Sequence, residues 1–486
     1  MNKIRLGLAA LMLCSFTTML YADDAQAFWP AWRGPDATGV APNGNPPTVW
    51  SESQNIKWRV KLTGDGSNSS PIVWKDKIFF QTAVKTDKVA APTAAQPAPE
   101  QNRQPGQMLP PPAPPKMAPP PGQPAQMPPP PPPPGQNPPP GAPGGRGGMN
   151  IETPTNIYQF NLVCMDRNTG NILWEKTACE VLPHQGVRPD HGFASFSPVT
   201  DGKYVWANFG SRGLYCYDLD GKLIWKKDLV QMKTRFGEGG SLAIAGDAVI
   251  VVTDNENESW IFAFNKNTGD LLWKKQRDEK TAHATPVIVT VNGQMQIITS
   301  ATNKIRAYDA KTGDVVWECG GMTGNVIPTP VVGFDMVFCT SGFRGSMLQA
   351  IKLGKTGDLT GTDAVAWQVK EATPYVPSPL LYGQRLYLFS VNTPILSCYD
   401  AKTGKPFYIK QNLDQIKDVY ASLVGAADKV YCVGRNGVTY VLKNADTYEV
   451  ISINKLDDGI DCTPAIVGDE IFLKGKQYIY CIAEKK

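Results

Sequence analysis

The feature that most restricts the fold is a motif that returns eight times: an apolar run of alternating pattern, led by Ser or Thr and split by a polar or Gly-containing pair. Six copies begin Ser-Pro or Thr-Pro: SPIVWKDKIFFQT from Ser70, SPVTDGKYVWANF from Ser197, TPVIVTVNGQMQIITS from Thr285, TPVVGFDMVFCTS from Thr329, SPLLYGQRLYLFS from Ser378 and TPAIVGDEIFLKG from Thr463. Two more, from Ser241 and Ser422, carry Leu in place of Pro. Two β-rich runs around a pair such as Lys-Asp or Asp-Gly make a hairpin, and proline costs least at the first residue of a strand. A period of roughly 40 to 50 residues marks solenoids and propellers rather than a string of separate domains.

A second landmark follows most hairpins: a short strand, a turn and an aromatic. It reads CMDRNTGNILW to Trp174, CYDLDGKLIW to Trp225, AFNKNTGDLLW to Trp273, AYDAKTGDVVW to Trp317 and CYDAKTGKPFY to Tyr408. Asp and Asn cap such turns and Gly supplies the positive φ, so each is a second hairpin, and four strands per period make one propeller blade. Two copies are irregular, KTGDLTGTDAVAW to Trp367 with extra turn residues and VLKNADTYEVI to Ile451 without glycine or aromatic; weaker blade packing is expected there. The last hairpin is followed only by QYIYCIA, one strand short, while NIKWRVKL (Asn55 to Leu62) carries a matching Trp58. Pairing of these terminal strands closes an all-β, eight-bladed propeller of four-stranded antiparallel blades and removes the open edge.

Residues 88 to 150 are runs of Pro with Gln, Gly and Ala and few core-forming side chains, which predicts a disordered, polyproline-II-rich insertion between the second and third strands of the first blade. The N-terminus reads as an export signal over residues 1–27: Lys3 and Arg5, an apolar stretch from Leu6 to Leu20, and Ala25-Gln26-Ala27 as the cleavage site, with Ala22 the competing position. The propeller then spans 28–486, periplasmic or secreted, with no membrane span after cleavage. A net charge of +4 over 486 residues is too scattered for nucleic-acid binding. Nine cysteines besides Cys14 include no C-x-x-C pair, and Cys164, Cys216 and Cys398 share one repeat position with Ala263, Ala307 and Ala350, a slot for a small buried residue.

The small-x-D-x-x-T-G-x-x-x-W pattern resembles the quinoprotein (PQQ)-like β-propeller repeat, found in pyrroloquinoline-quinone alcohol dehydrogenases and in BamB-like assembly scaffolds; the likeness covers Trp58 to Ile482 apart from the insertion. The opening FWPAWRGPDATGV, Phe28 to Val40, is similar to the start of secreted bacterial members of that family. The resemblance implies that Trp58, Trp174, Trp225, Trp273, Trp317 and Trp367 dock neighbouring blades, with Tyr408 a departure. It implies a quinone with calcium only for an oxidoreductase, and the Cys-Cys pair often found beneath that cofactor is missing, as is a CxxCH haem site.

No catalytic residues or metal ligands are assigned. His184, His191 and His283 are the only histidines, and none stands in a metalloprotease or nucleophile-elbow spacing. His184 and His191 share the loop PHQGVRPDHGF, where turn bracing is the simpler role. The loops leading into the first strand and those joining the second to the third share one propeller face. They contribute Asn68, Glu238, His283, Asn325, Tyr375, Tyr420 and Asp461, with Arg212, Arg344 and Arg435 at matching repeat positions. Those arginines are suited to bidentate contact with carboxylates or phosphates, or equally to bracing turns against neighbouring acids. The expectation is an exported, non-catalytic binding or assembly scaffold with no cofactor, taking an envelope or secreted protein or peptide on this face. The alternatives are a PQQ-dependent oxidoreductase and a polysaccharide- or envelope-binding module.

Overall fold

Each pair of hairpins folds into one twisted sheet. The protein is described by a computed structural model covering residues 25–64, 67–90 and 151–484. Residues 1–24 of the export signal expected over 1–27, and the proline-rich stretch from 91 to 150, lie outside the described residues. Among the described residues the strands form eight sheets in a ring. The first blade runs outward from the axis through Ile72–Trp74, Lys77–Val89, Asn156–Asp166 and Ile172–Val181. Lys88 and Val89, assigned to the insertion by composition, belong to this blade instead, because Val89 pairs with Asn156. The eighth blade comprises Ala465–Val467, Glu470–Lys474 and Tyr478–Ile482, completed by the N-terminal strand Ile56–Lys61. That strand pairs antiparallel with Tyr478–Ile482, Trp58 opposite Cys481, so the ring closes as expected.

The recurring Ser or Thr has a physical reason. Within the repeat no strand lies beyond the innermost one toward the axis, which would leave the N–H of its leading Ser or Thr unpaired. Here each N–H donates to the hydroxyl of the next blade's Ser or Thr: Ser70 to Ser197, Ser197 to Ser241, Ser241 to Thr285, Thr285 to Thr329, Thr329 to Ser378, Ser378 to Ser422, Ser422 to Thr463 and Thr463 back to Ser70, all at 2.9–3.0 Å. The eight bonds form an unbroken circle around the channel.

The turn glycine and the aromatic are likewise two halves of one contact. The Trp58 indole lies against Gly170 of the next blade, Trp174 against Gly221, Trp225 against Gly269, Trp273 against Gly313 and Trp367 against Gly404, each glycine at positive φ with no room for a Cβ. The indole Nε1 then donates to a carbonyl of the same neighbouring turn, for example Trp58 to Arg167 at 2.9 Å and Trp273 to Ala310 at 3.1 Å. Half-burying an indole of about 200 Å² contributes on the order of 2–3 kcal/mol per seam. Across the strand pair the small slot faces the ring: Cys164 opposite Trp174, Cys216 opposite Trp225, Ala307 opposite Trp317, Cys398 opposite Tyr408. A register shift recurs beside each of these pairs, turning the aromatic toward the next blade.

Each irregular copy carries a substitute contact at one of its seams. The extra turn residues of the fifth blade form Gly357–Asp358, which pairs in parallel with Trp317 and Glu318 on the outer edge of the fourth blade. Leu359 and Ala364 then cover Trp317, which is fully buried although its Nε1 has no partner. Where the seventh blade lacks the glycine, Tyr448 meets Tyr408 edge to face at 5.9 Å.

The segment ahead of the first repeat strand adds an element the repeat does not contain. Trp29 bridges Val73, the Pro30 carbonyl accepts from Thr200 N, and Val40–Ala41 pairs in parallel with the inner strand Val424–Ala426. Residues 29–41 therefore lie along inner-strand edges and cross the channel. Arg33 is fully buried there, donating to the Thr38 and Pro379 carbonyls.

Candidate functional site

At the mouth of the channel, on the face shared by the loops leading into each first strand, lies a cavity of about 160 Å³. The half-buried Trp32 of the N-terminal segment lines it, with Phe236, Tyr375 and Tyr420 as further aromatic lining and Asn68, Asn325, His191 and His283 among its polar groups. Six of the eight circle residues, Ser70, Ser197, Ser241, Thr285, Ser422 and Thr463, line it as well.

Of the residues picked out by repeat position, Asn68, His283, Asn325, Tyr375, Tyr420 and Asp461 come together on this cup. The three arginines do not converge on it. The Arg212 side chain is only 5% exposed and places Nη1 2.9 Å from Glu238, whose carboxylate also accepts from Ser211 N at 2.8 Å and Ser211 Oγ at 2.7 Å. Glu238 is thereby consumed in bracing the Gly210–Arg212 turn. Arg435 holds Asp461 through Nε at 2.6 Å and Nη2 at 3.1 Å, with its guanidinium 3.8 Å from the Tyr420 ring centre. Arg344 is exposed, 5.2 Å over Phe343, which in turn stacks on Tyr375 at 5.0 Å.

The loop read as PHQGVRPDHGF supplies what repeat counting did not weigh. Arg188 binds Asp190 through two bonds of 2.8 and 3.0 Å, and Tyr420 Oη donates to the same carboxylate at 2.8 Å. Burial pushes Asp190 up, but the bonds from Tyr420 and Arg188 outweigh it and leave the carboxyl below its usual range. Burial, reinforced by the neighbouring His191, lowers His283 to about 3, so its ring is neutral at physiological pH. Nothing in repeat spacing flags Trp32 or Arg188; the FWPAWRGP signature and the loop's density of charged and ring residues were the available signals.

Ser195 and His191 at the cup, and His184, are each tied to a main-chain carbonyl. Ser195 Oγ lies 3.2 Å from His191 Nδ1, yet that nitrogen is also 2.8 Å from the Gly192 carbonyl, to which Ser195 itself donates at 2.9 Å. Nδ1 must carry a proton toward that carbonyl, so it is no base for the serine. Likewise His184 Nε2 is tied to the Met232 carbonyl at 2.7 Å. Among the described residues no three His, Cys, Asp or Glu side chains are grouped to hold a metal ion, and no helix is long and apolar enough to cross a membrane. The nine described cysteines are free, and all but the half-buried Cys179 are buried.

A family model described as outer membrane protein assembly factor BamB matches residues 159–410. No curated protein matches the chain. Among solved structures, BamB from Moraxella catarrhalis is similar at 15% identity and a TM-score of 0.49, over 66% of this chain and 90% of its own. The computationally designed Ika8 protein is similar at 11% identity and 0.48, over 68% and 95%. Quinohemoprotein alcohol dehydrogenase from Comamonas testosteroni is similar at 10% identity and 0.55, over 96% and 82%. At 10% identity the likeness to the dehydrogenase is one of fold.

Proposed function

The chain belongs to the PQQ-like propeller family described by the outer membrane protein assembly factor BamB, and from that premise we propose that it is an exported, non-catalytic scaffold that holds an envelope component on its cup-bearing face. The observation that carries this reading is the state of the cup's ionisable groups. Arg188, Asp190 and Asp461 are bound in ion pairs, His283 is held neutral, and the Ser195–His191 contact is polarised the wrong way for nucleophilic attack. Such a site positions a ligand and offers no acid, base or nucleophile to transform it.

The quinone of the related dehydrogenases is a tricarboxylate that calls for unpaired cations, a calcium ligand set and commonly adjacent cysteines. The cup's lining arginine is already paired, and no two cysteines are adjacent in the sequence. The residues present therefore do not fit that group, and no redox step is assigned. The test is to incubate the purified protein with the quinone and calcium and follow cofactor absorbance and dye-linked alcohol oxidation. The scaffold reading expects a spectrum equal to the sum of its parts and no turnover; sustained dye reduction overturns it.

A further inference from the structure

We propose that the cup receives a single uncharged sugar ring, the exposed pyranose of an envelope glycan. The inference rests on the scaffold reading and names the chemistry of its ligand. Three observations carry it.

The first is shape and surface. Trp32 offers an indole to the cavity, flanked by Phe236, Tyr375 and Tyr420, and the apolar face of a pyranose stacks on such rings. A volume of about 160 Å³ falls below the roughly 300 Å³ at which pockets for drug-sized ligands begin, and suits one small ring.

The second is charge. The charged side chains that line the cup are all held in ion pairs: Arg188 with Asp190, and Asp461 with Arg435 just behind it, which also lies 3.6 Å from Asp190. An ionised ligand would have to break one of these pairs, whereas a neutral ligand displaces only water.

The third is an unfilled hydrogen-bonding position. Asn325 sits at a φ of 52°, in the left-handed region that asparagine tolerates, and its Nδ2 donates to Tyr375 Oη at 2.6 Å. Its Oδ1 is buried without a partner, and Asn325 lines the cavity. Buried acceptors are normally satisfied, so this oxygen calls for a ligand donor. Nearby, the hydroxyls of Ser70, Ser197, Ser241, Thr285, Ser422 and Thr463 accept main-chain N–H groups through oxygen and keep their protons to donate. A polyol, each of whose hydroxyls both donates and accepts, matches this mixture. An apolar side chain of a peptide would leave Asn325 Oδ1 unsatisfied.

The experiment is saturation-transfer NMR on the full mature chain with the methyl glycosides of glucose, galactose, mannose and N-acetylglucosamine, and with a methyl glucuronide as the charged comparator. At least one neutral glycoside is expected to receive saturation, strongest at the ring protons of its apolar face, and to bind more tightly than the glucuronide. Asn325→Gly keeps the backbone conformation and deletes the acceptor together with the bond to Tyr375 Oη; about tenfold weaker binding is expected, one hydrogen bond's worth, with a melting temperature lower by at most a few degrees. Trp32→Ala is expected to weaken binding as well. Absence of transfer to every neutral glycoside, stronger binding of the glucuronide, or transfer undiminished in both variants overturns the assignment. If the glycosides fail while a fluorophore on Asn68→Cys still blocks capture of a protein partner, the sugar assignment falls and the scaffold reading stands. Quinone-dependent turnover removes both.

Discussion

Adding one methyl group at Gly313 tests whether the indole-on-glycine contact joins the blades. Gly313 has φ +73, and a Cβ built there would lie 2.5 Å from the Trp273 ring. Gly293, in the first hairpin of the same blade, has φ +78 and nothing within 4 Å of the corresponding position. Both substitutions to alanine incur about 1–2 kcal/mol of left-handed strain, partly offset by about 0.4–1 kcal/mol from the stiffer unfolded chain. Gly293→Ala is therefore expected to cost about 1 kcal/mol. Gly313→Ala must in addition displace the Trp273 indole, an overpacking cost of about 1–3 kcal/mol, and loosen its 3.1 Å bond to the Ala310 carbonyl, about 1 kcal/mol more. Scanning calorimetry should place the Gly313→Ala melting temperature several degrees below that of Gly293→Ala, and the gap should vanish in a Trp273→Leu background, because the two residues act as a pair. Equal costs at the two glycines would refute the docking argument.

Other consequences follow from the same geometry. Thr285→Val removes the acceptor for Ser241 N and should lower stability by about 1–3 kcal/mol, whereas Thr285→Ser should restore it; thermal melts of the two variants check this. Arg212→Ala strands the buried Glu238 carboxylate and should cost about 3–5 kcal/mol, while Arg344→Ala, at an exposed side chain, should stay within about 0.5 kcal/mol. Because the folded-state pKa of His283 is about 3 against about 6.5 unfolded, the unfolded chain binds the extra proton between those values. Stability is unaffected by this group above pH 6.5 and falls as pH drops toward 3, by at most about 1.4 kcal/mol per pH unit. Urea titrations across that window should show a shallower acid loss in His283→Asn.

How much of this is readable in the sequence depends on whether a residue's role repeats. The Ser or Thr that opens each inner strand, the turn glycine and the following tryptophan repeat because each meets its counterpart one blade away, so eight blades and their closure through Trp58 follow from spacing. The compensation at Trp317 does not follow, since Gly357–Asp358 acts through an edge contact unique to one blade. The cup is legible in part. Repeat position marks Asn68, Asn325, Tyr375, Tyr420 and Asp461, because loops on one face converge at the axis. It leaves Arg212 open between ligand contact and bracing, and places Glu238 on the face although the two side chains turn to each other. It says nothing of Trp32, which reaches the channel through a non-repeating segment.

The buried state of eight of the nine described cysteines allows a direct test of where binding occurs. A single accessible thiol at Asn68→Cys, on the cup, or at Lys311→Cys, in an exposed turn between the third and fourth strands of a blade and hence on the opposite face, is labelled with a bulky maleimide. Retention of components from an envelope extract is then measured for each. The label at residue 68 is predicted to abolish retention and the label at 311 to leave it intact. Loss of retention only with the label at 311 would contradict the assignment of function to the cup.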